Sequence, residues 1–307
     1  MGRLLTKALI VGAGSIGTRH ARVLTELGHD VAIVTARDDL AVRAFRDLRE
    51  AVGSFDPSYV VIANETALHA TAVQELSQCG YAATVLIEKP LAIDPDAFGP
   101  APFARVGVGF NLRFHPVITR LAEVLAGQKV HTIEVYAGQD LASWRPGRKL
   151  ADQYSTSRAQ GGGVLRDLSH ELDYLGWLFG ECHGVFARGG RLTDVTRDSD
   201  DAWGIVARYE RSPIATIQLN YLDTQKRRRI VVNSTAGTIE ADLIAATLRI
   251  NDSLEAFDVD SDTTYRELHK AMLNPGATVP TVPEALETDR VITMIEQSAA
   301  QATWIER

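Results

Sequence analysis

The sequence predicts an α/β fold in two parts: an N-terminal doubly wound parallel sheet, then a C-terminal α/β part built on a largely antiparallel open sheet. Three observations carry this. The first 110 residues alternate short apolar runs with amphipathic helical stretches, the signature of βαβ units. Beyond Phe110 the pattern changes to strand-like runs joined by short turns, as in an antiparallel sheet with one covered face. The 307 residues also exceed the roughly 100–200 of a single domain. The expected division is 1–112, 113–282, and a C-terminal helix in 283–307 that packs back on the first domain.

In the first part, strands are expected at Ala8–Val11, Asp30–Val34, Tyr59–Ala63, Thr84–Ile87 and Arg105–Phe110. Helices are expected at Ser15–Leu27, Leu40–Val52 and Thr66–Gln78, with a short one near Asp94–Phe98. The connection from Asp38 to Pro57 is short for such a fold. In the second part, a helix at His115–Ala126 leads to a strand at Val130–Tyr136 and a strand-poor loop from Gly138 to Gln160. A helix over Gly161–Phe179 follows. Strands are then expected at Gly184–Arg188, Ala202–Tyr209, Ile214–Tyr221, Ile230–Ser234, Gly237–Leu243 and Thr247–Ile250. A proline-rich connector, Pro275–Pro283, precedes a last helix at Glu284–Ala300.

The first strand runs directly into Gly12-Ala-Gly14-Ser15-Ile16-Gly17. Gly12 permits a sharp turn off the strand, Gly14 has no Cβ to block a pyrophosphate, and Gly17 lets the helix pack close to the sheet. The helix start at Ser15 and Ile16 offers free N–H groups and the positive dipole end to phosphates. This is a dinucleotide-binding (Rossmann) fingerprint in its proper strand–turn–helix context. Net charge of −7 argues against general nucleic-acid or anionic-membrane binding. No apolar run approaches the ~20 residues that span a bilayer. Cys79 and Cys182 show neither C-x-x-C spacing nor a metal pattern, so thiols in a reducing, cytoplasmic setting are expected, with no metal.

A second motif, Glu88-Lys89-Pro90, ends the fourth expected strand. In an open α/β sheet, ligands lie beyond the carboxyl ends of the strands, which places this tripeptide at the same crevice as the glycine loop. Glycine loop, Thr66-x-x-His69 and Glu-Lys-Pro are followed by Gly109-Phe-Asn111-Leu-Arg113-Phe-His115-Pro116, then by Gly161-Gly-Gly-Val-Leu-Arg-Asp167-Leu-Ser-His170-Glu-Leu-Asp173. In this order they resemble the glucose–fructose oxidoreductase / inositol dehydrogenase / rhizopine-catabolism (Gfo/Idh/MocA) family.

The resemblance implies an NAD(P)-dependent oxidoreductase acting on a sugar, cyclitol or sugar derivative, with an open sheet that often mediates assembly into a homo-oligomer, a dimer or tetramer. It implies Lys89, Asp167 and His170 as catalytic residues, and it brings Asn64, Thr66, His69, Glu88 and Lys89 near the cofactor and Asn111 and Arg113 to the substrate side; for His69 a packing role is equally open. Many family members space the aspartate and histidine four apart; here the spacing is three, which on one helix keeps both on one face. His170 suits a proton acceptor near neutral pH, and Lys89 a cation for a developing alkoxide. A lysine with a depressed pKa is an equally open choice of base. His115, just before Pro116, reads as a local structural residue, and Asp173 as structural. Glu88–Lys89 alone would read as a solvated ion pair.

Cofactor choice rests on the end of the second strand. No acid stands at Thr35, and Arg37 follows closely, a pairing suited to the 2′-phosphate of NADP; Asp38 leaves NAD open. On the substrate side, Trp144-Arg145-Pro-Gly-Arg148-Lys149 sets an aromatic face beside three cations and points to an anionic or nucleotide-linked sugar. The run Lys226–Arg229 reads more simply as a solvated strand end. The alternative class is a non-catalytic relative that senses dinucleotide or sugar and acts through a protein partner. Such a sensor need not keep Lys89, Asp167 and His170 together.

Overall fold

The computed structural model describes residues 5–144, 150 and 153–307, apart from the side chain of residue 97. Along the chain run β1 (Lys7–Val11), α1 (Ser15–Glu26), β2 (Asp30–Val34), β3 (Arg43–Phe45), α2 (Leu48–Phe55), β4 (Tyr59–Ile62), α3 (His69–Gln78), β5 (Thr84–Ile87) and β6 (Arg105–Val108). Then come α4 (Pro116–Leu125), β7 (Val130–Gly138), α5 (Leu141–Trp144), α6 (Val164–Asp167), α7 (Ser169–Phe179), β8 (Cys182–Gly190), β9 (Ala202–Tyr209), β10 (Ser212–Asn220) and β11 (Arg227–Ser234). The series closes with β12 (Gly237–Asp242), β13 (Thr247–Ile250), β14 (Ser253–Ala256), α8 (Thr263–Met272), α9 (Val282–Gln301) and β15 (Ile305–Glu306).

The chain divides into two units. The first comprises Met1–Asn111 and Ser261–Leu286, the second Leu112–Asp260 and Glu287–Arg307. Residues 261–282, expected in the second part, belong to the first unit. The reason is visible in α8, whose inward residues Thr264, Leu268, His269, Ala271 and Met272 cover α1 and the sheet edge. Arg105 fixes the turn after it by donating to the carbonyls of Ala271, Pro275 and Ala277.

The first unit carries a six-stranded parallel sheet of order β3-β2-β1-β4-β5-β6. Its strands are near-continuous Val/Ile/Leu runs because both faces are covered. The order reverses between β1 and β4, the switch point where ligands settle in such sheets. The helix expected over Leu40–Val52 is instead a three-residue strand, β3, followed by α2. Asp47 caps α2 by accepting from Glu50 N–H at 2.8 Å, so the helix starts only there.

The second unit holds a nine-stranded sheet of order β14-β13-β12-β11-β7-β10-β9-β8-β15, antiparallel except for the β7–β10 pair. Strand β9 shows the period-2 logic: Trp203, Ile205, Ala207 and Tyr209 point into the core, while Gly204, Val206 and Arg208 point out. The covered face packs on α4, α6, α7 and the end of α9. The helix expected over Gly161–Phe179 is broken at Leu168 into α6 and α7.

Candidate functional site

In the first unit, the glycine loop has the geometry a pyrophosphate cradle requires. Gly12 sits at φ +105°, and a Cβ there would press on the Asn64 backbone at 2.8 Å. A Cβ on Gly17 would collide with the Gly12 carbonyl. Gly14 differs: it has ordinary φ and only open space in front of it. No side chain caps α1, and no acid stands in its first turn. The N–H groups at Ser15, Ile16 and Gly17 are therefore left for an external anion, and the loop fits the diphosphate of a dinucleotide.

The surrounding residues extend that fit. Asn64 follows β4, and its buried Oδ1 has no hydrogen-bond partner, an acceptor left over at the switch point. Thr66 opens a short 3₁₀ turn into α3. His69 is buried, with Nδ1 and Nε2 each 3.3 Å from the carbonyls of Leu91 and Asn64, and burial pulls it below the usual histidine range. It holds two loops together from beneath. Thr35 Oγ1 accepts from Arg37 N–H at 3.1 Å. Arg37 reaches back to the Ala13 carbonyl at 2.9 Å and forms a two-pronged pair with Asp39. Asp38 is paired with Arg46.

Glu88 is 7% exposed and lies at the end of β5. Its Oε1 meets His20 Nε2 at 2.9 Å, and its Oε2 accepts from the Lys89 backbone N–H at 3.2 Å. A side chain on Gly109 would run into this carboxylate, which explains the glycine there. Asn111 is buried and donates to Thr264 Oγ1 at 2.6 Å.

In the second unit, Asp167 closes α6 and receives two tyrosine hydroxyls, Tyr154 at Oδ1 (2.7 Å) and Tyr221 at Oδ2 (2.6 Å). Burial and the facing carboxylate keep the Tyr221 phenol well above its usual range, so it stays a donor. The glycine run makes this possible. Gly162 lies against the Tyr154 carbonyl, and Gly163, at φ +120°, lies against Asp200, whose Oδ2 accepts from Leu165 N–H at 3.0 Å and starts α6. His170 follows in the first turn of α7, buried at 9% exposure. Asp167 and His170 thus stand on two short helices, not on one face of a single helix as the spacing suggested. Trp144 stands edge-on to Tyr221, with ring centroids 5.3 Å apart.

Arg113 is a different case. It is 8% exposed and forms a two-pronged pair with Asp173 at 2.9 and 2.6 Å, beneath the Trp177 ring. Its guanidinium ties the start of α4 to α7. His115 Nδ1 accepts from Val117 N–H and so caps α4. Arg145 and Arg148 lie outside the described residues. Among the described residues no cluster of three or more His, Cys, Asp or Glu is arranged to hold a metal ion, and no helix is long and apolar enough to cross a membrane. Cys79 and Cys182 are unbridged thiols, with Cys182 pushed up to about 11 by burial. Sequence spacing missed Tyr154, Tyr221 and the partners of Glu88, since none carries a local motif.

Comparison with known proteins bears on both units. Residues 6–98 match the model described as "Oxidoreductase family, NAD-binding Rossmann fold", and residues 120–240 match the "GFO/IDH/MocA C-terminal domain". A protein named inositol 2-dehydrogenase from Salmonella typhimurium is 27% identical over 218 residues, 62% of this chain and 61% of that protein. One of the same name from Acidothermus cellulolyticus is 30% identical over 205 residues, 59% of this chain and 56% of its own. The match therefore spans about three-fifths of these relatives' length. Among solved structures, levoglucosan dehydrogenase in complex with NADH and levoglucosan superposes with a TM-score of 0.82 at 18% identity, covering 98% of each chain. The WlbA dehydrogenase from Bordetella pertussis, in complex with NADH and UDP-GlcNAcA, gives 0.77 at 20% identity over 99% of each. At these identities the structural likeness speaks for the fold.

Proposed function

The chain belongs to the Gfo/Idh/MocA oxidoreductase family, and from that premise we propose that it is an NAD(P)-dependent enzyme moving a hydride between a nicotinamide and a hydroxyl or keto carbon of a sugar derivative. The observation that carries this is the uncapped start of α1 at open Gly14, set at the switch point of the sheet whose strand β5 is followed directly by Glu88 and Lys89. The dinucleotide, when bound, supplies or accepts the hydride. The N–H groups at Ser15, Ile16 and Gly17 would hold the pyrophosphate, with Asn64, Thr66, His69 and Glu88 around it. Lys89 stabilises the alkoxide, His170 takes up the hydroxyl proton, and Asp167, held by its two tyrosines, orients the substrate hydroxyl. Lys89→Ala and His170→Ala should each lower kcat by about 100-fold, the scale of acid–base catalysis. Wild-type kcat in either variant, measured by nicotinamide absorbance on a sugar panel, removes that residue from the reaction.

The substrate we propose is an anionic or nucleotide-linked sugar. Support comes from Trp144 beside Tyr221, from Arg145 and Arg148 in sequence, and from the nucleotide sugar bound in the Bordetella relative. Efficient turnover of neutral inositol in preference to any sugar acid or nucleotide sugar overturns this reading. NADP(H) is the proposed cofactor because Arg37 is already anchored on the glycine loop. Asp39 is the counter-charge a 2′-phosphate must compete with, so Asp39→Asn should tighten NADPH binding and Arg37→Ala should weaken it about tenfold or more. Tighter NADH than NADPH binding by the wild type assigns the loop to NAD instead. A cytoplasmic homo-oligomer, dimer or tetramer, is proposed. The outward residues Phe186, Val206 and Ile214 on the second sheet support it, and sedimentation velocity tests it.

A further inference from the structure

Behind Glu88 runs a buried chain of hydrogen bonds that the proposed reaction leaves unexplained. Glu88 Oε1 meets His20 Nε2, His20 Nδ1 meets His269 Nε2, and His269 Nδ1 meets the Tyr59 hydroxyl, each at 2.9 Å. His20, His269 and Tyr59 are wholly buried. All four residues belong to the first unit, yet they come from α1, β4, α8 and the residue just after β5. The far oxygen of Glu88 accepts from the Lys89 backbone N–H. The carboxylate therefore joins this chain to the peptide that carries Lys89.

Counting protons fixes the order of the chain. A carboxylate only accepts, so His20 carries a proton on Nε2. Burial holds His269 well below the usual histidine range, so it is neutral and has a single N–H. Burial keeps the Tyr59 phenol far above its usual range, so its hydroxyl proton stays. If Tyr59 donates to His269 Nδ1, the His269 proton sits on Nε2 and is donated to His20 Nδ1. Every donor then has an acceptor. The reverse order would require a doubly protonated His20 and would leave the Tyr59 proton with nowhere to go, a costly arrangement at full burial. α8 is anchored to keep this register: Asp262 accepts from Arg19 and Arg22 at 2.8 Å each, and Tyr265 stands edge-on to His20 beneath the Arg19 guanidinium.

We propose that His269 and Tyr59 are positioning residues: by locking His20 in its Nε2–H tautomer they hold Glu88 against the Lys89 peptide and so aim Lys89 at the nicotinamide. This rests on the reading of Lys89 as a group that touches the cofactor. Two measurements test it. Imidazole ¹⁵N spectra of the dinucleotide-free wild type should show both His20 and His269 protonated at Nε2 and bare at Nδ1. Tyr59→Phe removes the donor at His269 Nδ1, so it should leave the proton on Nε2, where His20 Nδ1 still accepts it, and shift the bare Nδ1 resonance away from its hydrogen-bonded position. A His20 protonated at Nδ1, or at both nitrogens, overturns the proposal without any variant having to fold.

The second measurement follows the emission of bound NADPH, with NADH in parallel. Lys89→Ala should change it, and His269→Phe should change it in the same direction. His269→Gln, which keeps an N–H close to the Nε2 position, should restore the wild-type signal. Cofactor affinity should move less than about tenfold in both His269 variants, the scale of one neutral hydrogen bond, because the pyrophosphate grip is elsewhere. Wild-type emission in a folded His269→Phe alone overturns the relay. Wild-type emission in Lys89→Ala as well overturns the reading of Lys89 itself.

Discussion

Asp167 takes a hydroxyl on each oxygen, and the two tyrosines that supply them differ in burial: Tyr221 is enclosed, Tyr154 is 38% exposed. Tyr221→Phe should therefore cost more, about 1–3 kcal/mol of stability for a buried acceptor left short of a donor, whereas Tyr154→Phe hands its place to water. Chemical denaturation of both variants measures the difference, and equal losses would contradict it. Arg113→Ala should be harsher still, about 3–5 kcal/mol, since it takes a two-pronged charged partner away from the buried Asp173 carboxylate. Replacing both partners by apolar residues of similar size should recover much of that loss. Lys89, Glu88 and the glycines stand out in the sequence because their chemistry is written in consecutive residues. Arg113 stood out for the same reason, as part of a recognisable run, and the structure shows it serving a buried ion pair. His20 and His269 are 249 positions apart, and no local pattern joins them.

At the scale of elements, α1 and its loop separate a fold requirement from a ligand requirement. Gly12→Ala meets both a left-handed φ and the Asn64 backbone, so it should lower the melting temperature sharply. Gly14→Ala meets nothing in the protein, so it should melt like the wild type yet lose dinucleotide affinity. If Gly14→Ala binds NADPH and NADH normally, the loop is not a phosphate cradle. The parallel strands were readable because burial on both faces writes long apolar runs. Strand β3 was not: three residues, Arg43–Phe45, are held mainly by backbone pairing to β2 and carry no period of their own. The break at Leu168 was likewise hidden, because α6 and α7 follow one another with no glycine or proline at the junction. Helix α8 escaped notice because two of its five buried residues, Thr264 and His269, are polar.

Acid sensitivity is a property of the whole molecule. Burial, aided by Arg228, pulls His115 down to about 4, and burial lowers His69 and His269 as well. Above pH 6.5 these rings are neutral folded or unfolded and cost nothing. As pH falls from about 6.5 towards 4, the unfolded chain takes up protons that the folded chain refuses, so stability declines. His115 alone accounts for roughly 2–3 kcal/mol of that decline. Asp200 and Glu287, whose carboxyls burial raises, act in the opposite sense. His115→Asn isolates the histidine: its stability should fall less steeply over that range, and an unchanged slope refutes the assignment. The dinucleotide-binding unit is assembled from two separate stretches, Met1–Asn111 and Ser261–Leu286. An expressed fragment that stops near residue 112 would lay bare the face of α1 and leave His20 and Tyr59 facing water in place of His269. Such a fragment should aggregate, whereas residues 5–111 spliced through a short linker to 261–286 should remain soluble and retain its hold on the cofactor.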